Sequence, residues 1–225
     1  MNSQKVEKKD LKTLITNYNQ NVGLQTLANA VPYFGPLIDR TLNALASRYY
    51  EKRFRLLIQE LRNDIEEIKS QTINLEYLNS EEFYYFFQKV SEKAIREIQE
   101  GKIRILAKTL KICADPQIKF EEKDKLTEVA IDLTELDVLI LKEIIQRDSN
   151  FTQIDRHENK DRIPYDTLRT SFSDISPNLI ILHLQKLNKW GLIRDWGVGR
   201  WGYGGPGDWT PTEVGREFLN YLDRA

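Results

Sequence analysis

The sequence predicts a mainly α protein, with an N-terminal helical bundle domain over residues 1–130 and a smaller C-terminal α+β domain over residues 131–225. Three observations carry this. Apolar residues recur three and four apart along the first part, the period of one helix face. The composition shifts near residue 130, after which lie all four tryptophans (Trp190, Trp196, Trp201, Trp209) and most of the glycines. Two short strand-like stretches separated by a glycine-rich loop then interrupt the helical pattern.

The first long helix is expected from Pro36, a good first helical residue because its missing N–H would be unpaired there anyway. Leu42, Leu45, Tyr49, Phe54, Leu57, Ile58, Leu61, Ile65 and Ile68 then form one stripe. A stripe of this length predicts bundle or short coiled-coil packing. Asn79, with Glu82 three residues later, reads as the start of a second helix burying Phe83, Phe86, Phe87, Val90, Ala94 and Ile98. Gly101 breaks or bends the pattern. Ile103, Leu106, Leu110 and Cys113 make the next stripe, closed by Asp115-Pro116. Leu126, Val129 and Ala130 belong to a further helix.

In the C-terminal part, Thr134 with Asp137 caps a helix whose core face is expected to be Leu136, Leu139, Ile140 and Ile144. A polar loop, Asp148 to Arg162, leads to a short helix from Pro164 to Phe172 with Leu168 inward. Ser176-Pro177 opens the next helix, with Ile180, Leu184 and Leu187 inward and Trp190-Gly191 at its end. Leu192 to Trp196 and Asp208 to Thr210 read as strands flanking a loop from Gly197 to Gly207. Thr210-Pro211-Thr212-Glu213 reads as a capping box before a last helix through Val214, Phe218, Leu219 and Leu222.

Composition excludes several classes. The chain is 40% hydrophobic and 30% charged, the profile of a globular protein. A net charge of -1 gives no whole-protein attraction for nucleic acid or membrane. With Cys113 alone, neither a disulfide framework nor a cysteine zinc site is available. Met1 to Asp10 is polar and lysine-rich, unlike a secretory signal, and the apolar stretch Val22 to Ile38 is short and broken for a membrane span. The expected location is cytoplasmic.

The helix, short helix, helix, strand, loop, strand, helix order of residues 131–225 resembles the winged helix-turn-helix superfamily. The run from Leu184 through Lys186, Leu187, Lys189, Trp190 and Gly191 to Ile193 resembles the end of the third helix and the first wing strand. Thr210 to Phe218, reading TPTEVGREF, resembles the turn into the closing helix. The resemblance implies a winged helix and a common use, DNA binding, although the fold alone does not fix function. The helical part resembles bacterial abortive-infection (Abi-alpha-like) proteins, through the broken apolar hairpin, the long basic helix and the run LTELDVLILKEI from Leu133 to Ile144. No functional residue is carried over from that likeness.

A groove-reading helix shows polar side chains to the bases. Here the expected outward positions are Asn178, Leu179, Leu182, His183 and Lys186. Leu179 and Leu182 have nothing to offer a base edge, and they extend the apolar surface round the helix, which predicts a protein contact on that side. From Asp132 onward about 15 acidic residues face about 12 basic ones, the wrong balance for a phosphate-binding domain. The wing carries Trp196, Arg200, Trp201, Tyr203 and Trp209, which can fold back on the domain, anchor a protein interface or stack on bases. Arg40, Arg48, Lys52, Arg53 and Arg55 form a basic run that reads first as the wet face of the long helix, with a membrane or nucleic-acid surface as the alternative.

Catalytic and cofactor signals are weak. Gly197-Val198-Gly199-Arg200-Trp201-Gly202 matches G-x-G-x-x-G but lacks the helix that must follow to hold a pyrophosphate. The only histidines, His157 and His183, lie in no metal-binding motif, and Cys113 sits on an apolar stripe. Neither cofactor nor metal is expected. The leading expectation is a non-enzymatic regulatory or interaction protein, meeting a protein partner or itself as a homo-oligomer through Leu179, Leu182, Trp196, Trp201 and Tyr203. The rival is a DNA-binding regulator using Asn178, His183, Lys186, Lys189 and Arg200. A third reading is a membrane-acting bacterial defence protein using Val22 to Ile38.

Overall fold

A computed structural model of the chain describes residues 48–68, 77–151, 162–197 and 207–224. The described residues are mainly helical, with one small two-stranded antiparallel sheet near the C-terminus. The elements are α1 (Arg48–Ile68), a 3₁₀ turn (Tyr77–Asn79), α2 (Glu81–Ala94), α3 (Glu100–Cys113), α4 (Phe120–Asp132), α5 (Glu135–Ser149), α6 (Tyr165–Ser171), α7 (Pro177–Lys189), β1 (Ile193–Asp195), β2 (Trp209–Pro211) and α8 (Glu213–Arg224). The chain divides into two compact units, Met1–Asp124 and Lys125–Ala225. The apolar hairpin Val22 to Ile38 and Arg40 lie outside the described residues.

In the first unit α1 packs on α3, and α2 packs on both. Phe54, Leu57 and Leu61 meet Phe83, Phe86, Phe87, Ile103, Leu106 and Leu110 in a core closed to solvent. Two members of the basic run of α1 are engaged locally. Lys52 pairs with Glu100 at 3.1 Å, and Arg53 donates to the carbonyl of Ile95 at 3.2 Å. Lys123, 1% exposed at its side chain, pairs with Glu82 at 2.9 Å and donates to the Tyr77 hydroxyl, which itself donates to Glu82 at 2.5 Å. Burial pushes the Tyr77 phenol far up, and the Glu82 carboxylate beside it adds to this. At Glu82 burial acts upward, but the hydrogen bonds from Tyr77 and Lys123 outweigh it and hold the carboxyl below its usual range.

Three expectations for this unit are corrected. Ser80, not Asn79, caps α2, because Asn79 ends the 3₁₀ turn, whereas the extended backbone of Ser80 lets its hydroxyl accept from Phe83 N. Ile98 is exposed, not buried. The helix stops at Ala94, and the Glu97 carboxylate accepts the N–H groups of Ile98 and Gln99, so the break precedes Gly101, which lies inside α3.

In the second unit α5 is central: α6, α7, α8 and β2 all pack against it. The capping box of Thr134 and Asp137 forms as its spacing predicts. It turns Asp137 inward, so the buried stripe of α5 is Asp137, Ile140, Leu141, Ile144 and Asp148, and Leu139 is exposed rather than in the core. Arg216 of α8 reaches the buried Asp148 carboxylate at 2.5 Å. The sheet pairs Ile193 with Pro211, Arg194 with Thr210 and Asp195 with Trp209, and Ile163 bridges Trp209 from the other side of β2. Thr212, not Thr210, caps α8, since Thr210 is held in β2. The Thr212 hydroxyl accepts from Gly215 N at 3.0 Å and donates to Gly191 O at 2.6 Å.

Candidate interaction surface

Helix α7 begins at Pro177, placed at the first helical position, and ends at Lys189, capped by Trp190 and followed by Gly191 at φ +69, a left-handed conformation that glycine adopts without strain. Ile180, Leu184 and Leu187 are fully buried and seat the helix against α5 and β1. This fixes which side faces out. Leu179 is 42% exposed and Leu182 is 60% exposed, and three residues of spacing puts them on one face. Asn178 is also exposed.

Two polar residues of the same helix, His183 and Lys186, are turned toward α5. His183 Nδ1 lies 2.6 Å from Asp137 Oδ1, and an ionised carboxylate only accepts, so this nitrogen carries the proton. Lys186 Nζ donates to the Asp132 carbonyl at 2.6 Å and to Asp137 Oδ2 at 3.0 Å. Asp137 also accepts from the N–H and hydroxyl of Thr134, at 2.6 and 2.8 Å. Burial drives the Asp137 carboxyl upward. The Thr134 N–H, His183, the Thr134 hydroxyl and Lys186 together outweigh it, so the group stays below its usual range and ionised. Four donors on a wholly buried carboxylate make a lock between the start of α5 and the middle of α7. His183 and Lys186 are therefore committed to this lock and are not open side chains beside the leucines.

Lys189 is exposed, with its ammonium 5.8 Å from the Trp190 ring. Trp190 donates to Asp132 Oδ2 at 2.6 Å and also has Lys125 at 5.6 Å from its ring. Trp196 is partly exposed and donates to Thr210 Oγ1 at 3.0 Å, with Arg162 and Arg194 over its ring. Trp209 is buried in the core of its unit. Arg200, Trp201 and Tyr203 lie outside the described residues, as does His157.

Sequence reasoning missed Asp137 and Asp132 as partners of α7, and Arg162 as a partner of Trp196. The Thr134–Asp137 spacing was readable as a cap. Contacts of that carboxylate with residues 46 and 49 positions away leave no trace in local spacing. Among the described residues no group of His, Cys, Asp or Glu is placed to hold a metal, and no helix is long and apolar enough to cross a membrane. Comparison of the chain with protein-family models, with curated proteins and with solved structures finds no match.

Proposed function

We propose that the protein is a non-enzymatic interaction protein whose C-terminal unit is a winged helix used as a protein-binding module, and that the outer face of α7 meets a second copy of the chain. The order α5, α6, α7, β1, β2, α8, with Ile163 bridged to Trp209, supports the winged-helix reading. One observation carries the functional reading. The open face of α7 presents Leu179 and Leu182 beside the exposed Asn178, while Asp137 holds His183, and Asp137 and the Asp132 carbonyl hold Lys186, two of the polar side chains that a groove-reading helix would use. Two leucines contribute about 1.5–3 kcal/mol each when fully covered. A single helix face repeated across a two-fold axis is a common way to cover such a pair. Trp201 and Tyr203, which lie between the strands in the sequence, are proposed to extend the protein contact.

The rival use of the same fold is tested by retention of the purified chain on mixed-sequence duplex DNA across a salt series. This reading predicts weak retention, unchanged by Lys186→Ala combined with Arg200→Ala. Strong retention that falls steeply with salt and is lost in that variant would replace it with the DNA-binding reading, in which Asn178, His183, Lys186, Lys189 and Arg200 form the contact.

A further inference from the structure

The outward side of the β1–β2 pair carries a second surface of different chemistry. Side chains alternate across a strand, and directly paired residues share a face. Ile193, Trp209 and Ile163 are buried, so their side of the sheet is the core side. Arg194, Trp196, Thr210 and Arg162 fall on the other. Ile163 fixes Arg162 there by exchanging both backbone hydrogen bonds with Trp209, at 2.9 Å each. The hydrogen bond from Trp196 Nε1 to Thr210 Oγ1 pins the indole on the same side. The Arg162 guanidinium carbon lies 4.3 Å, and that of Arg194 5.5 Å, from the centre of the Trp196 ring. Two like charges thus converge on one indole. Among the described residues no carboxylate forms an ion pair with either: Asp195 turns its Oδ1 to Gly197 N at 2.7 Å, and Asp208 pairs with neither guanidinium.

We propose that Arg162, Trp196 and Arg194 dock a carboxylate-rich segment of a partner protein. This rests on the reading of the C-terminal unit as a protein-binding module and names the chemistry of one partner. Each guanidinium keeps a planar fork of N–H donors that matches a carboxylate in two parallel hydrogen bonds. The indole between them supplies rigid apolar area, and Trp and Arg are the residue types on which binding energy concentrates. Polyphosphate fits less well. Nucleic-acid affinity grows with the number of phosphates neutralised. Among the described residues the outward side of this sheet offers two cations, Arg162 and Arg194, enough for a pair of carboxylates and few for a run of phosphates.

The test uses the full chain and fluorescence anisotropy of a labelled short peptide of alternating Asp and Glu. A neutral Ser/Gln peptide and single- and double-stranded oligonucleotides of the same length serve as comparison probes. The acidic peptide is expected to bind saturably and more tightly than every other probe. Arg162→Gln with Arg194→Gln is expected to weaken it at least about tenfold. Arg194→Lys, which keeps the charge and loses the fork, should fall between. Unaltered thermal melting of the variants shows that the sheet still forms. Equal affinity in the double variant, no binding of the acidic peptide, or tighter binding of an oligonucleotide overturns the proposal. A chain carrying Leu179→Glu and Leu182→Glu is measured alongside. It should bind the acidic peptide like the parent, so loss of self-association and loss of this site are read separately.

Discussion

Asp137 Oδ1 and His183 Nδ1 lie 2.6 Å apart, across 46 residues of sequence. The pair decides the character of α7. It draws the imidazole into the unit and brings Lys186 to the same carboxylate, and Leu179 and Leu182 are left open on the outer side of the helix. A capping residue of one helix has become the anchor of another.

Asp137→Asn should therefore cost more than an ordinary helix cap. Losing a cap alone costs about 1 kcal/mol. Stranding the partners of a buried charge costs about 3–5 kcal/mol, and partial exposure of His183 and Lys186 places the expected loss near the lower end, about 3 kcal/mol. Urea denaturation of parent and variant at neutral pH measures it. A loss under about 1 kcal/mol would mean that the carboxylate acts only as a cap.

The same carboxylate sets a pH dependence. Its folded-state pKa is depressed, so its contribution is fully present above the unfolded value of about 3.9 and is lost as pH falls through the lower folded value. Denaturation midpoints taken from neutral to strongly acid pH should fall more steeply below about pH 4 in the parent than in Asp137→Asn. Parallel curves would contradict this.

Gly215→Ala sets two effects against each other. Alanine is the better helix former by about 1 kcal/mol. A Cβ at this position, however, would sit 2.1 Å from the Leu192 carbonyl oxygen and 2.9 Å from its carbon. That carbonyl also accepts from Thr212 N, so it is not free to move aside. The clash should dominate, with a net loss of about 2–3 kcal/mol seen as a lower Tm. An unchanged or higher Tm would show that α8 can shift.

The buried ammonium of Lys123 gives an asymmetric pair of variants. Glu82→Gln strands the charge and should cost about 2 kcal/mol, whereas Lys123→Met removes it with little change in volume and should cost less. Thermal denaturation of both ranks them. The reverse order would show that the charge itself, and not its partner, holds Tyr77 and α4 in place.

The helices and the sheet were legible wherever period and punctuation acted locally. Ser176-Pro177, Trp190-Gly191 and Thr134 with Asp137 marked helix ends that the coordinates place within a residue or two. Errors arose where a neighbouring side chain changed the outcome. Glu97 captures two N–H groups beyond the end of the helix, so the apolar stripe stops short of Ile98. Thr210 looked like a cap because the pull of the strand on it is not local. For the candidate surface, the exposure of Leu179 and Leu182 follows from helix period alone, given Ile180, Leu184 and Leu187 inward. The capture of His183 and Lys186 did not, since it depends on a packed pair of helices.

The most direct test of the central claim is the mass of the purified chain by light scattering over a range of concentrations, compared with Leu179→Glu plus Leu182→Glu. Both positions are exposed, so the substitutions should leave Tm within about 2–4 °C of the parent. The parent is expected to move from its 26.4 kDa monomer toward twice that mass as concentration rises, and the variant to stay monomeric. A parent that remains monomeric throughout, or a variant that associates equally well, would contradict the assignment of this face to a second copy of the chain.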